Sequence, residues 1–168
     1  EKKKEKKKIV KKTDTQEEFK PKTENLDQNP PVINIASTLQ IAENSTALGS
    51  VSISDVDDDD MTLSITGTDA SSFSLSTSNS LSFKTAPDYE TKTAYYLTLS
   101  VTDGQVTVTK DITISVTNLN DNSPVISSSA TQSVSEFSKT IGSVTSTDAD
   151  GDLLTYSLSG TSASFVNL

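Results

Sequence analysis

The sequence contains no cysteine, no histidine and no tryptophan. Disulfides, thiol nucleophiles and cysteine-ligated zinc are therefore excluded, and so is the commonest general base. Most catalytic designs require one of these groups, so we do not expect an enzyme active site within these residues. The sequence also lacks a run of about 18 apolar residues, the length that a membrane-spanning helix needs. We therefore predict no transmembrane segment in it.

Positive charge is scarce outside the first residues of the chain. Residues 1–29 hold ten lysines and seven acids, a net charge of +3, whereas residues 30–168 hold four lysines and sixteen acids, a net charge of −12. Nucleic-acid binding needs a basic face, so the acidic body excludes that class of partner and favours cations instead.

The lysine-rich start, residues 1–29, shows no sustained hydrophobic period. Its composition predicts a disordered tail that acts as a solvated linker or stalk. Contact with an anionic membrane or another polyanion is the alternative interpretation of the same lysine run.

From residue 30 the composition changes to Ser, Thr, Val, Ile and Leu, with alternation of polar and apolar residues. Short strands in quick succession predict an all-β fold, a Greek-key antiparallel β-sandwich of the immunoglobulin-like type. The hairpin signal Asp103-Gly104 lies between the two clearest strands. The predicted strands are Val32–Ala36, Leu39–Ala42, Ala47–Ser54, Met61–Thr66, Phe73–Ser76, Leu81–Lys84, Tyr95–Thr102 and Gln105–Thr117.

The chain repeats itself. Pro31–Leu75 aligns with Pro124–Leu168 at a constant offset of 93 residues, without a gap, and 19 of the 45 positions are identical. We therefore predict a tail (1–29), one complete repeat (30–121) and the first half of a second repeat (122–168) within a longer protein. The half repeat would expose open sheet edges, and we do not expect it to fold stably alone.

Acidic and amide side chains cluster at the predicted strand ends and recur with the repeat. Carboxylate, amide and carbonyl oxygens without nitrogen or sulfur ligands suit a hard cation, and calcium fits best. Taken singly, each cluster is also explained as a solvated turn or an Asx turn. Their joint occurrence at corresponding positions favours a metal site. These clusters are Glu43, Asp88 with Glu90, the run 118–122, and Asp148 with Asp150.

At these motifs the sequence resembles the cadherin repeat family, and more closely its bacterial and non-classical members. Ala42-Glu43-Asn44 is similar to the family's Glu motif, and Asp88-Tyr89-Glu90 to its Asp-Arg-Glu motif. Residues 118–122 resemble the Asp-x-Asn-Asp-Asn linker, and Asp148-Ala149-Asp150 the Asp-x-Asp motif. Asp103 resembles the aspartate late in the repeat.

The resemblance implies a calcium site at the junction between the two repeats. Asn118 stands where the linker usually has an aspartate, so we expect fewer or weaker ions than in a complete junction. A half-site at the opposite end of the first repeat, formed by Asp55, Asp57 and Asp103, is expected to be vacant or weakly occupied. The implied junction ligands are Glu43, Asp88, Glu90, Asn118, Asn120, Asp121, Asn122, Asp148 and Asp150.

The function that the resemblance implies is a calcium-binding extracellular module at a cell surface. It would act in cell adhesion, sometimes homophilic, or as a calcium-stiffened spacer, and its partner would be another cadherin-like repeat or a surface protein. The alternative is an accessory module that spaces the catalytic domain of a secreted enzyme. A structural β-sandwich whose acids bind nothing is the third interpretation.

Overall fold

The computed structural model describes residues 29–168, so the predicted tail lies outside the described residues except for Asn29. The described chain is almost entirely β-structure, with short 3₁₀ turns at Ala70–Ser72 and Ala163–Phe165. The strands are β1 (Val32–Asn34), β2 (Thr38–Ala42), β3 (Ala47–Ser50), β4 (Ser52–Ser54), β5 (Thr62–Thr66), β6 (Phe73–Leu75), β7 (Ser80–Phe83), β8 (Ala94–Thr102), β9 (Thr107–Thr117), β10 (Val125–Ile126) and β11 (Ser146–Thr147).

Two sheets of residues 32–117 enclose one hydrophobic core, which confirms the predicted β-sandwich. One sheet has the strand order β2-β9-β8-β5 and the other has the order β3-β7-β6, while β1 pairs with β4. Alternate residues of a strand face opposite sides, so every second residue of β8 and β9 enters the core. The fully or almost fully buried apolar side chains include Leu81, Leu97, Leu99, Val101, Ile112, Ile114 and Val116.

One pairing differs from the antiparallel arrangement expected throughout. β2 runs parallel to β9, with Thr38 opposite Thr113 and Ala42 opposite Thr117. The cause is a break after β1. Strand β1 pairs with β4, and the chain then crosses to the other sheet, where β2 pairs with β9. The crossing is held by hydrogen bonds to carbonyl oxygens at Ile35 and Ser37. The opening segment therefore contributes a strand to both sides of the sandwich.

The predicted strand Ala47–Ser54 is divided in two. The register between β3 and β7 shifts between Ala47 and Gly49, and Gly49 has a φ of +117°, a conformation that favours glycine. Val51 separates β3 from β4, and its N–H donates to the carbonyl oxygen of Asn79 at 2.8 Å. A bulge of this kind bends the strand, so β3 and β4 pair with different neighbours.

A buried carboxylate fixes the turn before β6. Asp69 is 8% exposed and accepts hydrogen bonds from the Lys92 ammonium at 2.5 Å and from the Tyr96 N–H at 2.8 Å. The Lys92 side chain, hydrogen-bonded to this carboxylate, holds the pKa of Asp69 below its ordinary value. Buried charges need such partners, so Asp69 ties the turn to β8.

The chain after β9 repeats the start of the sandwich without its core. β10 pairs with β11 as β1 pairs with β4, and each paired residue lies 93 positions after its counterpart. The 3₁₀ turn Ala163–Phe165 likewise lies 93 positions after the turn Ala70–Ser72. No residue of 118–168 is buried. Val51 is 2% exposed, whereas its counterpart Val144 is 45% exposed. In the first repeat β8 and β9 supply the covering layer, and the described part of the second has no counterpart of them.

No helix formed by residues 29–168 has the length and apolar character needed to span a lipid bilayer.

We expect the same substitution to have different effects at Val51 and at Val144. Removing two buried methyl groups from Val51 costs about 2 kcal/mol of unfolding free energy, whereas Val144→Ala on an exposed site changes it by less than about 0.5 kcal/mol. Urea unfolding measures both values, provided that the slope of the unfolding free energy against urea concentration is the same in the parent and the variants. Equal losses at the two positions would mean that residues 124–168 share a common core with the first sandwich.

Candidate functional site: an acidic cluster at the end of the first sandwich

The site is organised by Glu43, the residue directly after β2. Its side chain is 2% exposed, yet it carries a carboxylate. One oxygen, Oε2, accepts the N–H of Tyr89 at 2.8 Å, and the other, Oε1, accepts the N–H of Leu119 at 2.7 Å. Two hydrogen bonds from backbone N–H groups stabilise a buried carboxylate. Glu43 therefore ties together the sandwich, the loop before β8 and the linker after β9.

The parallel pairing of β2 with β9 places these segments side by side. Because the strands run in the same direction, they end at the same edge of the sheet, and the Glu43 N–H donates to the carbonyl oxygen of Thr117 at 3.1 Å. The next N–H, that of Asn44, donates to the carbonyl oxygen of Pro87 at 3.0 Å. The loop 87–90 and the linker 118–122 thereby converge on Glu43.

Four carboxylates from separate segments meet at this edge. Each of Glu43, Glu90, Asp121 and Asp150 offers a carboxylate oxygen, and these oxygens all lie within 4.8 Å of one another. The one ion pair formed by residues 29–168 joins Lys92 to Asp69, so none of the four lysines in this part of the chain pairs with the cluster. Like charges this close repel strongly unless a proton or a cation lies between them.

The pKa values of two members of the cluster are shifted in opposite directions. Burial, together with the nearby charges of Glu43 and Asp150, raises the pKa of the Glu90 carboxyl. Hydrogen bonds from the Asn122 side chain, and then from the backbone N–H groups of Asn122 and Asp121, lower the pKa of Asp150. The two shifts therefore favour a proton on Glu90 over one on Asp150.

The linker folds around Asp150. Its Oδ2 accepts the N–H groups of Asp121 at 3.1 Å and of Asn122 at 2.8 Å, and its Oδ1 accepts the Asn122 amide at 3.0 Å. The Asn118 amide donates to the carbonyl oxygen of Asp150 at 3.0 Å. The predicted juxtaposition of Asn118, Asp121 and Asn122 with Asp150 is therefore present in the structure.

A second group shares Asp150. Asp148, Asp150 and Asp152 also have carboxylate oxygens within 4.8 Å of one another, and Asn120 donates its amide to Asp152. Sequence reasoning missed Asp152. The signal was available, since Asp152 lies 93 residues after Asp59 in the repeat and extends the Asp-x-Asp spacing by one step.

Asp88 lies outside both carboxylate groups. Its oxygens accept the N–H of Thr91 at 3.2 Å and the Thr91 hydroxyl at 2.9 Å, and the hydroxyl contact is the main cause that lowers the pKa of Asp88. The carboxylate thus caps its own turn. To serve as a metal ligand, as the sequence predicts, it would have to exchange these two hydrogen bonds.

The other predicted half-site lies at the opposite end of the sandwich. The Asp57 N–H donates to Asp55 at 2.7 Å, and Asp57 in turn accepts the N–H of Asn29 at 3.2 Å. The same two contacts recur 93 residues later, where the Asp150 N–H donates to Asp148 and the Asn122 N–H donates to Asp150. Asp103 accepts the N–H groups of Gln105 and Val106. Within residues 29–168 the structure assembles no group of three carboxylates at this end.

Neutralising Glu90 should stabilise the metal-free protein at neutral pH. The pKa of Glu90 is raised above its ordinary value of 4.5 in the folded state, so the proton it binds contributes stability below that pH, and this stability is lost as the pH rises through the folded pKa. With excess chelator, Glu90→Gln should unfold at a higher temperature than the parent at pH 7 and at a similar temperature at pH 4. A parent that is the more stable of the two at pH 7 would contradict the repulsion.

Comparisons with known proteins agree with this fold. The family model described as a bacterial Ig domain matches residues 28–117, which is 90 of the 168 residues. No curated protein matches the chain. A crystal structure of human protocadherin-24 EC1-2 is 25% identical, with 72% of this chain and 62% of that chain covered and a TM-score of 0.63.

Other cadherin structures are similar to the same extent. Drosophila N-cadherin EC1-4 is 25% identical, with 71% of this chain and 33% of that chain covered and a TM-score of 0.60. The protocadherin GammaB4 extracellular domain is 22% identical, with 74% and 24% covered and a TM-score of 0.60. This chain therefore spans less than two thirds of the cadherin chains that it matches. The predicted resemblance to cadherin repeats is confirmed at the level of the fold, and the chain belongs to the bacterial Ig domain family.

Proposed function

We propose that this protein is a calcium-binding extracellular module that acts as a stiffened spacer or adhesion unit of a cell-surface protein. The observation that carries the proposal is the convergence of four carboxylates from four separate segments, with no ion pair to a lysine of residues 29–168. A cation bound between these carboxylates would relieve their repulsion and stabilise the folded junction. The cadherin fold and the bacterial Ig family both support a place outside the cell.

The residues present suit calcium. Calcium takes about six to eight oxygen ligands in a flexible geometry, and this edge of the sandwich offers carboxylate and amide oxygens only. The asparagine side chains that now donate hydrogen bonds carry an oxygen on the same amide group. The residues that would hold the ion are Glu43, Glu90, Asp121, Asp148, Asp150 and Asp152, with Asn118, Asn120, Asn122 and Asp88 as further candidates.

When bound, calcium supplies the positive charge that balances the cluster. The Glu43 carboxylate has a fixed position in the site because both of its oxygens accept hydrogen bonds from backbone N–H groups. Asp121 and Asp150 come from the linker and from the segment after β11, so ligation by both joins the two repeats. Without the ion the repulsion favours separation, and the linker 118–122 becomes a hinge. Calcium binding and stiffening of the junction are thus one event.

The opposite end should bind more weakly. Asp55, Asp57 and Asp103 form no three-carboxylate group among the described residues, whereas the junction has two such groups. Fewer charged ligands lower the affinity for calcium. We therefore propose one tight region at the junction and a weaker one at the start of the first sandwich.

Calcium should raise the thermal unfolding temperature of this chain. Free calcium at about 100 times its dissociation constant adds about 2.7 kcal/mol of stability when only the folded state binds it. Glu90→Gln removes one carboxylate of the cluster and should weaken binding by about tenfold. The matched control is Glu136→Gln, because Glu136 is an exposed acid at the repeat position of Glu43.

The measurements are melting curves with millimolar calcium and with excess chelator, and a calorimetric calcium titration. Identical curves under the two conditions would overturn the proposal. Equal loss of affinity in both variants would show that general acidity, and not this cluster, attracts the ion. Equally tight binding at two independent sites would contradict the expected weakness of the opposite end.

Asp121→Ala should loosen the junction and leave the first sandwich folded. Asp121 is exposed and accepts hydrogen bonds from the amides of Asn44 at 2.5 Å and Asn122 at 2.9 Å, so its partners are an exposed turn residue of the sandwich and the linker, and not the core. We expect faster proteolysis within 118–124 in calcium, with an unfolding free energy of the sandwich changed by less than about 0.5 kcal/mol. Limited proteolysis and urea unfolding measure the two effects. Collapse of the whole sandwich would show that the site and the core are not separable.

A further inference from the structure

The outer face of the sheet β2-β9-β8-β5 carries hydroxyl groups and almost no charge. Residues paired across β5, β8 and β9 share a face, and the outward positions are mainly threonine and serine. Asp111 is the one charged residue among the outward positions of these three strands. In a body with a net charge of −12, this face is unusually neutral.

Tyr96 stands on this face as an exposed aromatic ring. It is 54% exposed, and among residues 29–117 it is the one aromatic side chain in the exposed class. Phe73, Phe83 and Tyr95 pack against one another on the core side instead. An exposed aromatic ring on a rigid sheet costs hydrophobic free energy, and such residues are enriched at binding surfaces.

A shallow depression lies beside the ring. Its volume is about 250 Å³, and its lining includes Tyr96, Thr98, Asp111 and Thr113, with the turn Gly67-Thr68 on one side. Gly67 has a φ of +105°, and a Cβ there would come within 3.1 Å of the Leu97 Cα atom, so glycine lets this wall approach β8. The depression is smaller than a drug-sized pocket of about 300–1,000 Å³ and suits one small ring.

The polar groups are arranged around the aromatic ring. Tyr96 pairs with Thr113 and Thr98 pairs with Asp111, so Tyr96 and Asp111 are diagonal neighbours whose backbones lie about 7–8 Å apart by strand geometry. Thr98 donates its hydroxyl to Asp111 Oδ1 at 2.7 Å. No other described residue donates to this carboxylate, so it retains capacity to accept from a ligand hydroxyl.

The backbone under the ring is fixed before any ligand arrives. The Tyr96 N–H donates to Asp69 at 2.8 Å, and the Tyr96 carbonyl oxygen accepts the N–H of Asp69 at 3.0 Å. Asp69 is itself buried and paired with Lys92. A site built on a sheet whose supporting contacts are already made loses little entropy on binding.

We propose that this depression binds a neutral hexose unit of a polysaccharide. A pyranose ring has an apolar C–H face that packs on an aromatic ring and a rim of hydroxyls that both donate and accept hydrogen bonds. The Tyr96 ring provides the first contact, and Asp111 with the hydroxyls of Thr98 and Thr113 provides the second. The acidic body disfavours anionic sugars and phosphorylated ligands. The site lies apart from the acidic cluster and does not depend on the proposed calcium site.

The test uses the full chain in calcium and four neutral probes: maltohexaose, cellohexaose, mannohexaose and chitohexaose. Backbone amide chemical shifts are followed by NMR during titration with each. We expect at least one probe to shift the amides of Tyr96, Thr98 and Thr113 in a saturable way. Tyr96→Leu should weaken that binding by about tenfold, because it keeps an apolar side chain but removes the ring. Tyr96→Phe should keep most of the affinity.

Two further variants complete the design. Asp111→Ala should also weaken binding, and it serves in place of Tyr96→Leu if that variant does not fold. Thr107→Ala, at the far end of the same face, is the control and should bind like the parent. Absence of shifts with all four probes, or unchanged affinity in both Tyr96→Leu and Asp111→Ala, would overturn the proposal. The same shifts on concentrating the chain without sugar would show a contact between two copies instead, and would also overturn it.

Discussion

The hydrogen bonds of the buried Glu43 carboxylate hold together the acidic end of the first sandwich. It accepts one backbone N–H from the loop before β8 and one from the linker after β9, so three segments distant in sequence are held by a single side chain. The position follows from the parallel pairing of β2 with β9, which ends both strands at one edge. A glutamine here would lose an acceptor for one N–H group and leave it unsatisfied.

The same carboxylate creates the problem that a cation would solve. Glu43 cannot move away from Glu90, Asp121 and Asp150, because its own hydrogen bonds fix it to the backbone. The pKa of Glu90 is raised mainly by burial, and the nearby charges of Glu43 and Asp150 add to that shift. Repulsion among the four acids therefore lowers the stability of the folded state at this edge. Local sacrifices of stability of this kind are common where a site serves a function. By contrast, the buried acid Asp69 is paired with Lys92 and serves the fold.

Sequence patterns predicted the parts of the structure that are set by local rules. Period-2 alternation located the core strands β8 and β9, and the offset of 93 residues indicated a second repeat, in which β10 pairs with β11 as β1 pairs with β4. The parallel direction of β2 was not predictable, because alternation carries no information about strand partners. The local bonding of Asp88 to Thr91 was likewise hidden, since a carboxylate beside a threonine can cap its turn or face a cation. Asp152 was missed although the repeat contained its signal.

The contact of Asn29 with Asp57 recurs as the contact of Asn122 with Asp150, and it gives the first sandwich a direction along the chain. The first sandwich presents an Asn-Asp pair at one end and the Glu43 cluster at the other, so its ends are chemically unlike. A join between unlike ends is heterologous, and heterologous joins extend instead of closing into a symmetric pair. Repeats joined as Asn122 joins Asp150 here would all run in one direction, with the Glu43 end of each facing the Asn-Asp end of the next.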